Sequence, residues 1–333
     1  MKAVLSRQVG GPETLTIEEV PTPAPGPGEV RVAVRACGVN YPDVLLLRDA
    51  YQFKPERPFS PGGEIAGVVD AVGEGVTAVK VGDRVIGGAL WGGMAEKMVM
   101  PSERCIPLPT GMSFEEGAGF LTTYGTSYHG LKQRGALKPG ESLLVLGAGG
   151  GVGLAAVELG KAMGARVIAA VSSQEKLDLA LAHGASGGFI YPKEVGDDPA
   201  SLKALAAEFK AGCGPDGADV VFDVVGGPYA EAALRAIAWE GRFLVVGFAA
   251  SPPRMPLNLI LLKGCSVIGV FLGAYSERNP SVRKTNVAEL VRLFEEGTIR
   301  PFISRTFPME EAGKAVAWLA DRKVQGKVVV TFP

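Results

Sequence analysis

Five glycines within seven residues, Gly147-Ala148-Gly149-Gly150-Gly151-Val152-Gly153, constrain this chain more than any other feature. They follow the apolar residues 143–146 and open an amphipathic segment, 152–163, that stops at Gly164. Each glycine has a task in a strand–turn–helix unit. The first makes the tight turn, a middle one lets backbone approach a diphosphate without a Cβ in the way, and the last lets helix and strand pack closely. The helix start adds N–H groups without intrahelical acceptors and the positive end of the helix dipole. Residues Gly147, Gly150, Gly151, Val152 and Gly153 are therefore predicted to cradle a dinucleotide diphosphate.

The surrounding pattern supplies the context that such a turn needs. Residues 166–170 read as a second strand. Ser173 then caps a helix that runs to about His183 and stops at Gly184. Residues 219–225 and 243–247 are further apolar strands, each after a helical stretch. Strands that alternate with helices and are apolar throughout predict a doubly wound parallel sheet covered on both faces. Residues 1–122 read differently. Strand-like runs at 30–35 and 67–72 lie between turns at 21–28, 58–63 and 73–76, with no helix alternation, so a β-rich, barrel-like first domain is expected. The parallel-sheet domain is placed at 123–263. Residues 264–333, with a helix at 287–296 and a strand at 327–332, are expected to return to the first domain.

Composition removes several classes of function. Net charge is −1 and no basic run exists, so nucleic acid is a poor partner. The longest apolar stretch is broken by the glycine run, which argues against a membrane span. The N-terminus lacks the apolar core of a signal peptide, and Cys37, Cys105, Cys213 and Cys265 form no CxxC pair. A cytoplasmic protein with reduced thiols is the expectation. Only two histidines, His129 and His183, are present, too few for a multi-histidine metal site.

The second strand of the parallel sheet ends Ala169-Ala170-Val171-Ser172-Ser173, with no acid until Glu175 and with Lys176 next. An acid there usually holds a ribose 2′-hydroxyl. Ser172, Ser173 and Lys176 suit a 2′-phosphate instead, which repels carboxylate and needs donors. Ser173 equally suits a helix cap, and Lys176 a solvated surface position.

The runs ACGVNYPDVLLLRDAYQF, PGGEIAGVVDAVGEGV, VGDRVIG, LKPGESLLVLGAGGGVG and DVVFDVVGG together resemble the zinc-independent quinone oxidoreductase branch of the medium-chain dehydrogenase/reductases. The resemblance spans nearly the whole chain. It implies a GroES-like partly open barrel, a Rossmann domain and a C-terminal return. Zinc-dependent members carry a cysteine where this chain has Asn40 and a histidine where it has Gly63, and the lobe of four closely spaced cysteines is absent, so no metal is expected. Lys176 and Tyr191 match residues that surround the 2′-phosphate, and Arg322 matches a C-terminal arginine that reaches it. Thr126 matches a threonine near the nicotinamide. Gly247, Phe248 and Phe271 are placed on the cofactor side as well. Tyr191 also suits a packing aromatic. The cofactor implied is NADPH, and the assembly implied is a homodimer through the edge near residues 267–271.

On the substrate side, the resemblance places Asn40 and Tyr51 in the cleft. In related enoyl thioester reductases, the tyrosine matching Tyr51 donates or orients the proton added to the alkene. A neutral phenol can stabilise charge that builds on a substrate carbonyl when hydride adds to the β-carbon. Tyr51 also suits an ordinary loop aromatic, and Asn40 a turn residue before Pro42. The expectation is an NADPH-dependent reductase of quinones or of the activated C=C bonds of α,β-unsaturated carbonyls. Alternatives are an enoyl thioester reductase and a non-enzymatic NADPH-binding protein.

Overall fold

The computed structural model describes Met1–Gly196 and Asp198–Pro333. The chain divides into two units, one formed by Met1–Thr122 with Arg300–Pro333, the other by Thr123–Ile299. In the first unit, β1 (Lys2–Ser6) and β2 (Leu15–Glu19) form an antiparallel ribbon. Then follow β3 (Glu29–Gly38), the short helix α1 (Tyr41–Leu47), β4 (Glu64–Val72), β5 (Arg84–Gly87), β6 (Lys97–Pro101), β7 (Ile106–Pro107) and the single turn α2 (Phe114–Gly117). Along β3 the side chains alternate. Val30, Val32 and Val34 are buried, and their neighbours are more exposed, the period of a strand with one face on a core.

The second unit starts within α3 (Leu121–Tyr128). It continues with β8 (Ser142–Leu146), α4 (Gly151–Ala162), β9 (Arg166–Val171), α5 (Gln174–Ala182), β10 (Gly187–Ile190), α6 (Pro199–Cys213), β11 (Ala218–Asp223), α7 (Gly227–Arg235) and β12 (Ile237–Val245). It closes with α8 (Leu257–Lys263), β13 (Ser266–Gly269), α9 (Leu272–Arg278) and α10 (Pro280–Glu295). Its six strands pair in parallel in the order β10-β9-β8-β11-β12-β13. The order reverses direction between β8 and β11, the place where such sheets take ligands beyond their strand ends. Every residue of β8 is buried, as a strand covered on both faces requires.

The chain then re-enters the first unit with β14 (Ile303–Pro308), α11 (Ala312–Ala320) and β15 (Lys327–Thr331). The resulting seven-stranded sheet runs β14-β15-β3-β4-β5-β7, with β6 also on β3. The re-entry point corrects the expected boundary at residue 264. Residues 264–299 belong with the second unit, because β13 pairs with β12 as the sixth parallel strand. The architecture is α/β: a Rossmann sheet in one unit and a β-rich GroES-like unit beside it in the chain.

Candidate functional site

The glycine turn is built as its sequence suggests. Gly147 takes φ +70, a conformation that favours glycine, and its N–H donates to Ala170 O at 3.0 Å. Gly150 caps α4 without a side chain, and its N–H donates to Gly147 O at 3.0 Å. A Cβ on Gly153 would stand 2.1 Å from that same oxygen. The tight return of the backbone over the first turn of α4 thus depends on Gly153. Ser127 Oγ donates to Val152 O at 2.8 Å and ties α3 to the helix start.

Across the turn lies Lys176. A Cβ on Gly149 would meet its Cβ at 2.7 Å and its Cγ at 2.8 Å, so the lysine stem lies directly on the glycine loop. Ser173 caps α5, with its Oγ accepting the Lys176 N–H at 3.4 Å, so the capping role read from sequence is present. Ser172 is half-buried beside it. Tyr191 is buried, its ring stacked on Phe209 at 6.0 Å and tilted on Tyr229 at 4.7 Å, and the packing role read from sequence is present too. On the opposite half of the sheet, Gly247 donates its N–H to Asp223 O at 3.2 Å, and Phe248 and Phe271 are exposed. Thr126 is half-buried on α3. The structure thus gathers Gly147, Gly150, Gly151, Val152, Gly153 and Lys176 at one end of β8 and β9. Arg322 belongs to the first unit, exposed after α11 with φ +57.

Sequence reading passed over Asp223 and Glu158 in this unit. Asp223 ends β11, and its Oδ1 accepts the N–H groups of Val225 at 2.8 Å and Gly226 at 3.0 Å. Burial pushes its carboxyl up to about 6. Glu158, on the inner face of α4, accepts from Tyr124 Oη at 2.6 Å and pairs with His183 Nδ1 at 2.6 Å. Its partners lie 34 and 25 residues away, so no local motif reveals it.

In the first unit, Tyr51 is half-buried against the core with its ring 6.1 Å from Phe53. Burial pushes its phenol up, which keeps it protonated at neutral pH. Asn40 precedes α1, and its N–H donates to Asp43 Oδ2 at 2.7 Å. Burial raises the Asp43 carboxyl to about 6. The Asn40 side chain is held from both sides. Its Nδ2 donates to Glu64 Oε2 at 3.2 Å and to Gly38 O at 3.3 Å, and its Oδ1 accepts from Lys327 Nζ at 2.8 Å. Lys327 was not a candidate from sequence, where it reads only as the start of a strand. Among the described residues, no group of three or more His, Cys, Asp or Glu could hold a metal ion, and no helix is long and apolar enough to cross a membrane.

Residues 26–110 match the alcohol dehydrogenase GroES-like domain family, and residues 151–291 match the zinc-binding dehydrogenase family. A quinone oxidoreductase-like protein 2 homologue of Nematostella vectensis is 38% identical over 99% of this chain and 88% of its own length. Among solved structures, the quinone oxidoreductase of Thermus thermophilus, also solved with NADPH, is 34% identical with a TM-score of 0.83, covering 100% of both chains. The Escherichia coli quinone oxidoreductase complexed with NADPH is 28% identical with a TM-score of 0.89, again covering 100% of both. With identity of this level along its whole length and the same overall fold, the chain belongs to the quinone oxidoreductase family of the medium-chain dehydrogenase/reductases.

Proposed function

We propose that this protein is an NADPH-dependent reductase of quinones or of the activated C=C bonds of α,β-unsaturated carbonyls, and that it works without zinc. The observation that carries the reading is Lys176 lying on the glycine loop at the head of α4, after a second strand with no acid at its end. Its ammonium has the reach for a 2′-phosphate, and Ser172, Ser173 and Tyr191 are the further residues proposed around that group; Arg322 is proposed as a cofactor residue from the family resemblance alone. The complexes of the two structural relatives with NADPH support it. Thr126, Gly247, Phe248 and Phe271 are the residues proposed along the rest of the cofactor. Bound NADPH would supply the hydride. The chain's own part is to hold the diphosphate on backbone N–H groups and to offer the neutral Tyr51 phenol to the substrate oxygen as charge develops there.

The residues present do not fit a catalytic zinc. Gly63 has no side chain, the Asn40 amide is already held by Lys327, Glu64 and Gly38, and the Lys327 ammonium lies 3.6 Å from Glu64 Oε2, where it already neutralises the carboxylate. The second unit also exposes apolar side chains on its edge strand and on the neighbouring elements: Val267 on β13, Phe271 just after it, Trp239 on β12, and Leu257, Leu261 and Leu262 on α8. An unpaired edge strand with such surroundings suits a second copy of the chain, and light scattering tests that homodimer.

Titration with both cofactors tests the central reading. NADPH should bind at least about tenfold tighter than NADH, since each charge-assisted contact to the phosphate is worth about 1.5–3 kcal/mol. Equal affinities would refute the 2′-phosphate site. Turnover with a panel of quinones, enones and enoyl thioesters identifies the acceptor class, and NADPH binding with no turnover on any would leave only the non-enzymatic reading.

A further inference from the structure

Lys327 is 5% exposed, at the first position of β15. An ammonium so deeply buried needs oxygens around it. It has three. Nζ donates to Val39 O at 3.0 Å and to Asn40 Oδ1 at 2.8 Å, and it stands 3.6 Å from Glu64 Oε2. Glu64 is 2% exposed, and its other oxygen accepts the Thr122 N–H at 2.9 Å. The Asn40 amide therefore lies between a cation and an anion, with its oxygen toward Lys327 and its nitrogen toward Glu64. Turned by 180°, the amide would bring N–H against the ammonium and C=O against the carboxylate. That reversal replaces two attractive contacts with two repulsive ones in a dry environment. Asp43 and Cys37 are the other titratable groups facing this cluster.

We propose that Lys327 is a positioning residue for the substrate side of the first unit: its ammonium sets which way the Asn40 amide points and holds the Val39–Asn40 turn at the head of α1. The inference rests on the proposed function and on the family resemblance only in placing Asn40, with Tyr51, on the substrate side. Lys327 itself lies behind Asn40, hydrogen-bonded to it.

The test separates this role from simple support of the fold. Lys327→Met keeps length and removes the charge, which strands the Glu64 carboxylate. Its melting temperature should fall. The double variant Lys327→Met/Glu64→Gln removes both charges and should regain most of the melting temperature. Its turnover number should nevertheless stay about tenfold or more below the wild type, because no charge now fixes the amide. Turnover that recovers together with stability in the double variant would overturn the proposal. A second readout does not depend on activity. With asparagine labelled in its side-chain nitrogen, the wild type should show one sharp Asn40 amide pair with slow proton exchange, and the double variant a doubled or fast-exchanging pair. An unchanged single pair in the double variant would likewise refute positioning. If the wild type reduces no acceptor, the functional reading fails by itself, and the resonance alone decides the role of Lys327.

Discussion

Gly153→Ala tests the cradle most directly. A Cβ at this position would stand 2.1 Å from Gly147 O, 2.7 Å from Gly147 C and 3.0 Å from Ala148 Cα, all backbone. Real Cβ contacts stay beyond about 3 Å, so the glycine turn must move by about 1 Å relative to α4. Gly147 cannot simply rotate its carbonyl away, because that oxygen accepts the Gly150 N–H and its own N–H is tied to Ala170 O. A shift of this size takes at least one backbone N–H out of reach of a phosphate oxygen. The loss of one charge-assisted hydrogen bond, about 1.5–3 kcal/mol, corresponds to NADPH binding weaker by about tenfold to 150-fold. Gly160→Ala, on the same helix, is the control. Its Cβ would meet only side-chain atoms, Leu143 Cδ2 at 2.6 Å and Val167 Cγ2 at 3.0 Å. That variant should change the melting temperature while leaving NADPH affinity within about twofold, as a repacked core contact would. Fluorescence titration and thermal melts on both variants read these effects. A folded Gly153→Ala protein with wild-type affinity would show that the diphosphate does not lie on this turn.

Three further outcomes are expected. Tyr51→Phe should lower the turnover number on an enone more than on a quinone, by up to roughly a thousandfold, since only the first needs a proton on carbon; unchanged turnover on both returns Tyr51 to a packing role. Metal analysis should find well under one zinc per chain, and a chelator should leave activity intact; stoichiometric zinc whose removal stops turnover contradicts the account of Lys327 and Asn40. Asp223, raised to about 6 from 3.8, contributes stability that is full below pH 4 and lost as pH rises through 6. Asp223→Asn keeps the oxygen that accepts both N–H groups, so urea unfolding should find it more stable than wild type at pH 8, by on the order of 3 kcal/mol, and equal to it at pH 4. A constant difference across that range would show that Asp223 does not titrate in this window.

What could be read from sequence is what lies in consecutive residues. The strand, the glycine turn and α4 occupy residues 142–162 without interruption, so their geometry follows from local sterics. The return to the first unit was misplaced because β13 is an edge strand. Ser266, Val267 and Gly269 are exposed, and four such residues carry no buried apolar signature until their pairing with β12 is seen. The helix expected at 287–296 begins seven residues earlier at Pro280, since Arg283 and Lys284 interrupt its apolar stripe. Ser173 and Tyr191 show a different limit. Residue type gave both a bland and a functional role, and the bland role is visibly filled without displacing the other. Lys327 lay out of reach because its partner Asn40 is 287 residues away in sequence.

That separation has a consequence for synthesis. The ribosome completes the whole of Thr123–Ile299 before it supplies β14 and β15 to the first unit. Domains ordinarily fold in the order in which they emerge. Here the order is inverted for one of them: the parallel-sheet unit can close while the earlier-made strands still wait. During that interval the β3 edge that later takes Val329, Val330 and Thr331 stays open, and Glu64 has no ammonium beside it. A nascent chain halted short of Lys327 therefore exposes an unpaired strand edge and an uncompensated carboxylate, which makes the arrival of β15 a checkpoint for strands made long before it.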